Sequence, residues 1–210
     1  AFMYGDQMVE IAKAADEASR KYDVRIILTP QYTDIYRVAK ETTDILVFAQ
    51  HMDALPIGRG LGSVLPEAVK AAGAVGVMLN HAEKPLNFSV LNQTIRRADE
   101  VGLATIVCTD TPEEAQAVAL LEPNLIVAEP TALIGTGTTT DDAYIKKAIE
   151  LVQQVNPAID VLIGAGISNG NDVYKTIKAG APATGTTSGI MKAKDPFAMI
   201  DEMIGAVRKA

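Results

Sequence analysis

Cysteine is nearly absent from these 210 residues. Cys108 stands alone, so no internal disulfide can form and a disulfide-stapled scaffold is excluded. A lone thiol fits a reducing cytoplasm, the expected compartment, and its place inside an apolar run reads as buried packing. Positive charge is scarce as well. Nineteen Lys and Arg face 26 Asp and Glu, a balance of −7, which repels phosphate backbones and anionic lipid and argues against nucleic-acid and membrane-surface partners. No apolar run approaches the roughly 18–20 residues that cross a bilayer, and the first residues lack the basic-then-apolar pattern of an export signal. Histidine is limited to His51 and His81, and no group of His, Cys and acids has metal-ligand spacing, so no metal is implied. The chain begins Ala1-Phe2-Met3, and on that ground an upstream segment is expected.

What the chain does have is apolar content, 48% of its residues, over a length that suits one sizeable core; a single domain over residues 1–210 is expected. Seven short apolar runs, at residues 24–28, 45–49, 75–79, 104–108, 125–128, 161–164 and 183–187, alternate with stretches of helical period. Their near-continuous apolar character is what parallel strands covered on both faces require. The helical stretches carry inward stripes such as Met8, Ile11, Ala12, Ala15 and Ile145, Ala148, Ile149, Val152. Thr111-Pro112-Glu113-Glu114 and Asp195-Pro196 read as helix starts, and Gly102 and Gly180 as helix ends. A helix precedes the first strand, and seven strand-helix units follow. This order predicts an α/β fold, a (β/α)8 TIM barrel whose first β-strand is missing from the recorded sequence, since a barrel short of one stave leaves two unpaired edges. An open doubly wound sheet is the second choice.

Four segments at strand C-terminal ends could carry chemistry, and a barrel would gather them on one rim. Leu79-Asn80-His81-Ala82-Glu83 places an imidazole after a strand; a ring at a helix N-terminus stays neutral and can donate a hydrogen bond, with Glu83 as a first-turn acid. Glu129 ends a buried strand, a setting for a general base. The stretch after it, Pro130 to Gly137, sets a short apolar piece between flexible ends and reads as a lid. Gly164-Ala165-Gly166 and Thr187-Ser188-Gly189 could offer backbone N–H groups to a phosphate. The first of these glycine clusters lacks the complete dinucleotide fingerprint, which argues against a nicotinamide site. Gly58-Arg59-Gly60-Leu61-Gly62-Ser63 lacks the Gly-Lys-Ser/Thr ending of a P-loop and reads as an exposed loop that could reach another subunit.

Taken together, Phe48-Ala49-Gln50-His51-Met52-Asp53, Val64-Leu65-Pro66-Glu67-Ala68, the His81 segment, Glu129-Pro130 with Leu133 to Gly137, Gly164 to Ser168, and Ser188-Gly189 with Lys192 to Pro196 resemble the triosephosphate isomerases, in the compact form typical of archaea. The resemblance covers nearly all of the chain. It implies a cytoplasmic glycolytic and gluconeogenic aldose–ketose isomerase that works without a cofactor on a small phosphorylated sugar, as a homodimer or homotetramer. It also implies Glu129 as base and His81 as neutral electrophile, with Glu83 in support. Ile134 and Gly135 would belong to the lid, and Gly166, Thr187 and Ser188 would hold the phosphate. Three departures stand out: the family's Asn-x-Lys after the first strand has no counterpart, Ala82-Glu83-Lys84-Pro85 replaces Ser-Glu-Arg-Arg, and Leu61 stands where the intersubunit loop carries a threonine. They keep two alternatives open, an isomerase of another ketose phosphate such as a tetrulose phosphate and a non-catalytic phosphate-binding paralogue.

Overall fold

The computed structural model describes residues 1–210. Seven strands form one sheet: β1 (Ile27–Leu28), β2 (Leu46–Ala49), β3 (Gly76–Leu79), β4 (Ala104–Thr109), β5 (Leu125–Ala128), β6 (Asp160–Ile163) and β7 (Ala183–Thr184). Every neighbouring pair is parallel and the spatial order follows the sequence order. Around them lie α1 (Asp6–Tyr22), α2 (Ile35–Glu41), α3 (Pro66–Ala71), α4 (Phe88–Val101), α5 (Pro112–Ala119), α6 (Asp142–Val155), α7 (Gly170–Lys178), α8 (Ser188–Met191) and α9 (Pro196–Lys209). This is the (β/α) barrel architecture with seven staves, and an open doubly wound sheet, whose strand order would be shuffled, is ruled out.

Alternation along the strands divides the core in two. Val47, Ala49, Val77, Leu79, Val107, Ile126, Ala128, Val161 and Ile163 point outward into a cluster of 34 buried residues shared with the helices. Phe48, Ile106, Cys108 and Val127 point inward and fill the lumen with Met78, Leu125 and Leu162. Gly76 makes room for the Phe48 ring, which a Cβ there would approach to 2.2 Å. Each fully buried Ile or Val contributes about 1.5–3 kcal/mol.

Local signals set the helix ends. Thr111 accepts from the Glu114 N–H at 3.1 Å and Asp195 from the Phe197 N–H at 3.0 Å, each one residue ahead of a proline. The Glu114 carboxylate does not return to Thr111, however; it takes the Asp110 N–H at 2.8 Å. Gly102 closes α4 in the left-handed region at φ 71.

The helical layer closes where the sheet does not. β1 and β7 are edges and do not pair with each other, yet α1 packs on α9: Tyr22 Oη donates to Asp201 at 3.0 Å and Lys21 pairs with the same carboxylate at 2.6 Å. On the other flank of α1, Asp16 accepts the N–H groups of Thr43, Asp44 and Ile45 at 2.9, 2.6 and 3.1 Å, fixing the helix to the start of β2. The runs expected as strands at residues 24–28 and 183–187 shrink to two residues each. Each has a partner on one side only, and beyond β7 hydroxyl bonds replace the ladder, Thr186 Oγ1 donating to the Ile167 carbonyl at 2.7 Å. The short α8 follows at once.

Candidate active site

The inward parity of β3, β4 and β5 carries on to Asn80, Cys108 and Glu129, and the C-terminal ends of these strands open onto a cavity of about 470 Å³. His81, Glu129 and Ile134 all line it, together with Asn80, Cys108, Thr109, Asp110, Glu114 and Thr131. Three carboxylates face this space and no Lys or Arg does.

His81 stands in the loop after β3, its side chain 29% exposed. Its Nδ1 accepts the Glu83 N–H at 3.2 Å. A ring nitrogen that accepts carries no hydrogen, so the neutral ring holds its proton on Nε2 and can donate there. The helix dipole expected to disfavour a charged ring is not available here. His81 and Glu83 do not sit at a helix N-terminus: α4 begins only at Phe88, because Pro85 disfavours helix before it and Asn87 caps the start by accepting the Val90 N–H at 2.9 Å. Glu83 supports His81 through its backbone N–H, while its carboxylate is exposed and 3.7 Å from Nδ1.

Glu129 follows β5 and is joined to β4 through its own N–H, which donates to the Thr109 carbonyl at 2.9 Å. Its Oε1 accepts the Ala165 N–H at 2.8 Å. Gly164 leaves the space this needs, since a Cβ there would lie 3.0 Å from the Glu129 carboxyl carbon. Ala165 holds φ 67, a left-handed conformation that an L residue adopts at a cost. Burial, and then the neighbouring Glu129 charge, push the Cys108 thiol up to about 12, so it stays protonated and serves as packing.

The stretch expected to act as a lid, Pro130 to Gly137, is tied down at its first end. The Thr131 N–H donates to the Asp110 carboxylate at 2.5 Å, and Tyr144 Oη of α6 donates to the Asp110 carbonyl at 3.0 Å. Gly135 and Gly137 take positive φ, 73 and 76, and nothing crowds Gly135. Past them the chain settles against Gly166, where a Cβ would come within 1.9 Å of the Thr138 carbonyl oxygen.

Gly166, Thr187 and Ser188 do not line the cavity. They form an adjoining group in which the chain at Gly189 lies so close to that at Ile167 that a Cβ would approach its carbonyl oxygen to 2.5 Å. The N–H groups of Gly166, Thr187 and Ser188 donate to no main-chain carbonyl. The Glu129–Ala165 bond joins the two groups. Asn80, Asp110 and Ala165 were not singled out from the sequence; the one local signal was an asparagine directly after a strand, a residue that tolerates left-handed backbone. No group of three His, Cys, Asp or Glu side chains is arranged to hold a metal ion.

A parallel barrel with a cavity at its strand C-terminal ends is the arrangement in which (β/α)-barrel enzymes place their active sites. The sequence model of the Triosephosphate isomerase family matches residues 3–203. The triosephosphate isomerase of Methanobacterium bryantii is 37% identical over 206 residues, 97% of this chain and 91% of the relative. That of Saccharolobus solfataricus is 37% identical over 210 residues, 99% and 92%, and that of Methanosarcina barkeri 38% over 203 residues, 95% and 91%. The chain belongs to the triosephosphate isomerase family.

Proposed function

We propose that this chain interconverts dihydroxyacetone phosphate and glyceraldehyde 3-phosphate by proton transfer through an enediolate, with Glu129 as base and His81 as hydrogen-bond donor. The division of roles follows the family's pattern. The observation that carries it is that His81 and Glu129, 48 positions apart in the chain, line one cavity. Glu129 removes a proton from the carbon beside the ketose carbonyl and returns it to the neighbouring carbon. His81 Nε2–H donates to the oxygens on which charge develops. The three carboxylates around the cavity repel a phosphate dianion, which supports seating that group on the unpaired N–H groups of Gly166, Thr187 and Ser188. Closure of the lid through Ile134 and Gly135 excludes water, so that the enediolate does not lose its phosphate.

The reaction needs no cofactor. The loop after β2 is the expected contact between copies in a homodimer or homotetramer: Ile57 is 73% exposed, Leu61 fully so, and Arg97 of α4 braces the loop by donating to the Leu55 carbonyl at 3.1 Å. No helix is long and apolar enough to cross a membrane, and the cytoplasm is the expected compartment. The test is a coupled assay of the purified chain on dihydroxyacetone phosphate and on a tetrulose phosphate, with Glu129→Gln as control. Faster turnover of the triose, abolished in the control, is expected. Preference for the tetrulose would overturn the substrate assignment, and no turnover of either would overturn the enzyme reading.

A further inference from the structure

We propose that Asn80 is a positioning residue for the reaction, its side-chain amide setting where the His81 ring stands relative to the Glu129 carboxylate; this rests on the assignment of those two groups as donor and base. β3 and β4 pair in register up to Leu79 and Val107. The next rung would be Asn80 opposite Cys108, and there the ladder stops, because Asn80 turns into the left-handed region at φ 58. Its side chain takes over: Nδ2 donates to the Cys108 carbonyl at 2.9 Å. The other end of the same amide, Oδ1, accepts the Leu86 N–H at 2.8 Å and closes the loop that carries His81. Within that loop the Lys84 N–H donates to the His81 carbonyl at 2.8 Å and the Glu83 N–H to the ring, so the imidazole is fixed to the loop and the loop to Asn80.

On the far side the connection is equally short. The residue after Cys108 is Thr109, whose carbonyl accepts the Glu129 N–H at 2.9 Å. From the loop that carries the imidazole to the main chain of Glu129 the links are one amide, one peptide step of β4 and one ladder bond. Asparagine suits this position on two counts. It accepts left-handed backbone more readily than other residues with a side chain, and its amide supplies a donor and an acceptor at once. Glycine would satisfy the backbone and lose both bonds; alanine would lose both and add strain.

Asn80→Gly is therefore the diagnostic variant, with Asn80→Asp, which keeps the acceptor for Leu86 and loses the donor to Cys108, as the conservative companion. The readouts are steady-state kinetics on dihydroxyacetone phosphate and the ¹⁵N resonances of the His81 ring. For Asn80→Gly the expected result is a fall in kcat of about ten- to a hundredfold, as for a small misplacement of a reacting group, with KM moving far less and the His81 signals shifting from one tautomer toward a mixture. Asn80→Asp should fall between that variant and the parent. Parental kcat with unmoved His81 signals overturns the proposal, and so does a lower thermal midpoint without change in those signals. His81→Gln separates the two levels of inference: if it loses turnover while Asn80→Gly does not, only the positioning role fails, and if it retains parental turnover the assignment of His81 fails as well. Should Asn80→Gly not fold, the same two readouts on Asn80→Asp decide.

Discussion

The two sides of the barrel mouth use their polar groups in opposite ways. On the side built by the ends of β3, β4 and β5, each group near the reacting centre is bonded to a neighbour: Asn80 to Cys108 and Leu86, His81 to Glu83, Glu129 to Ala165. On the side built by the lid and the loops after β6 and β7, the N–H groups of Gly166, Thr187 and Ser188 are left without backbone partners, and Gly135, Gly137 and Gly166 hold positive φ. Proton transfer needs its groups held within fractions of an ångström before substrate arrives, which a bond on one side of each group, the other side left for substrate, achieves. Gripping an anion needs donors still free to be used, and a covering segment needs backbone that can move.

The largest effect should come from the bonded side. Glu129→Gln keeps the side-chain shape but cannot take the proton, and kcat is expected to fall by at least about three orders of magnitude; retention of turnover would end the comparison at its strongest point. His81→Gln should lower kcat by about two orders, since a donor remains but the geometry and electronics of the imidazole are lost. On the free side the signature should differ. A side chain at Gly166 meets both the Thr138 carbonyl and a φ of 70, a conformation that costs an L residue roughly 1–2 kcal/mol. Gly166→Val is expected to raise KM by about tenfold with a smaller change in kcat, because substrate grip rather than chemistry is disturbed. Equal losses of kcat in Gly166→Val and His81→Gln would erase the distinction between the two sides.

The smallest effect is expected at His51, which belongs to neither set. Burial lowers its proton affinity, and its Nδ1 has no partner while Nε2 lies 3.3 Å from Asp53. In the unfolded chain a histidine takes its proton near pH 6.5. Below that value the unfolded state binds more protons than the folded one, so stability should hold above about pH 6.5 and decline as the pH falls through it. Asp53 adds to the decline at lower pH: burial works against its charge, yet the Val64 N–H and His51 hold its carboxyl below the usual range. Urea midpoints between pH 5 and 8 measure this, and His51→Gln should flatten the upper part of the slope with the kinetic constants at neutral pH unchanged. A parental slope in that variant would assign the decline to other groups.

Much of this was legible without coordinates, for a physical reason. Strands covered on both faces must be apolar throughout, and so the seven runs stood out; their spacing then set a parallel order, which the sheet follows stave by stave. That Glu129 and His81 line the cavity was legible because each stands one or two residues past such a run, and in a barrel the strand C-terminal ends open on the mouth. The start of α4 was misjudged, since the apolar period does not reveal that Pro85 and Asn87 hold the helix back to Phe88. The lengths of β1 and β7 were misjudged because an edge strand has only one neighbour to extend it, a fact about the sheet and not about the segment.

Residue order alone decided the class of fold and which strand ends carry an acid and an imidazole, because burial pattern belongs to each segment by itself. The assembled barrel decided which partners those groups found. That Asn80 meets a carbonyl 28 positions away, that Glu129 turns to Ala165, and that the lid rests on Gly166 are properties of loops brought together from different staves. Hydrogen bonds act over about 3 Å in space and are indifferent to distance along the chain.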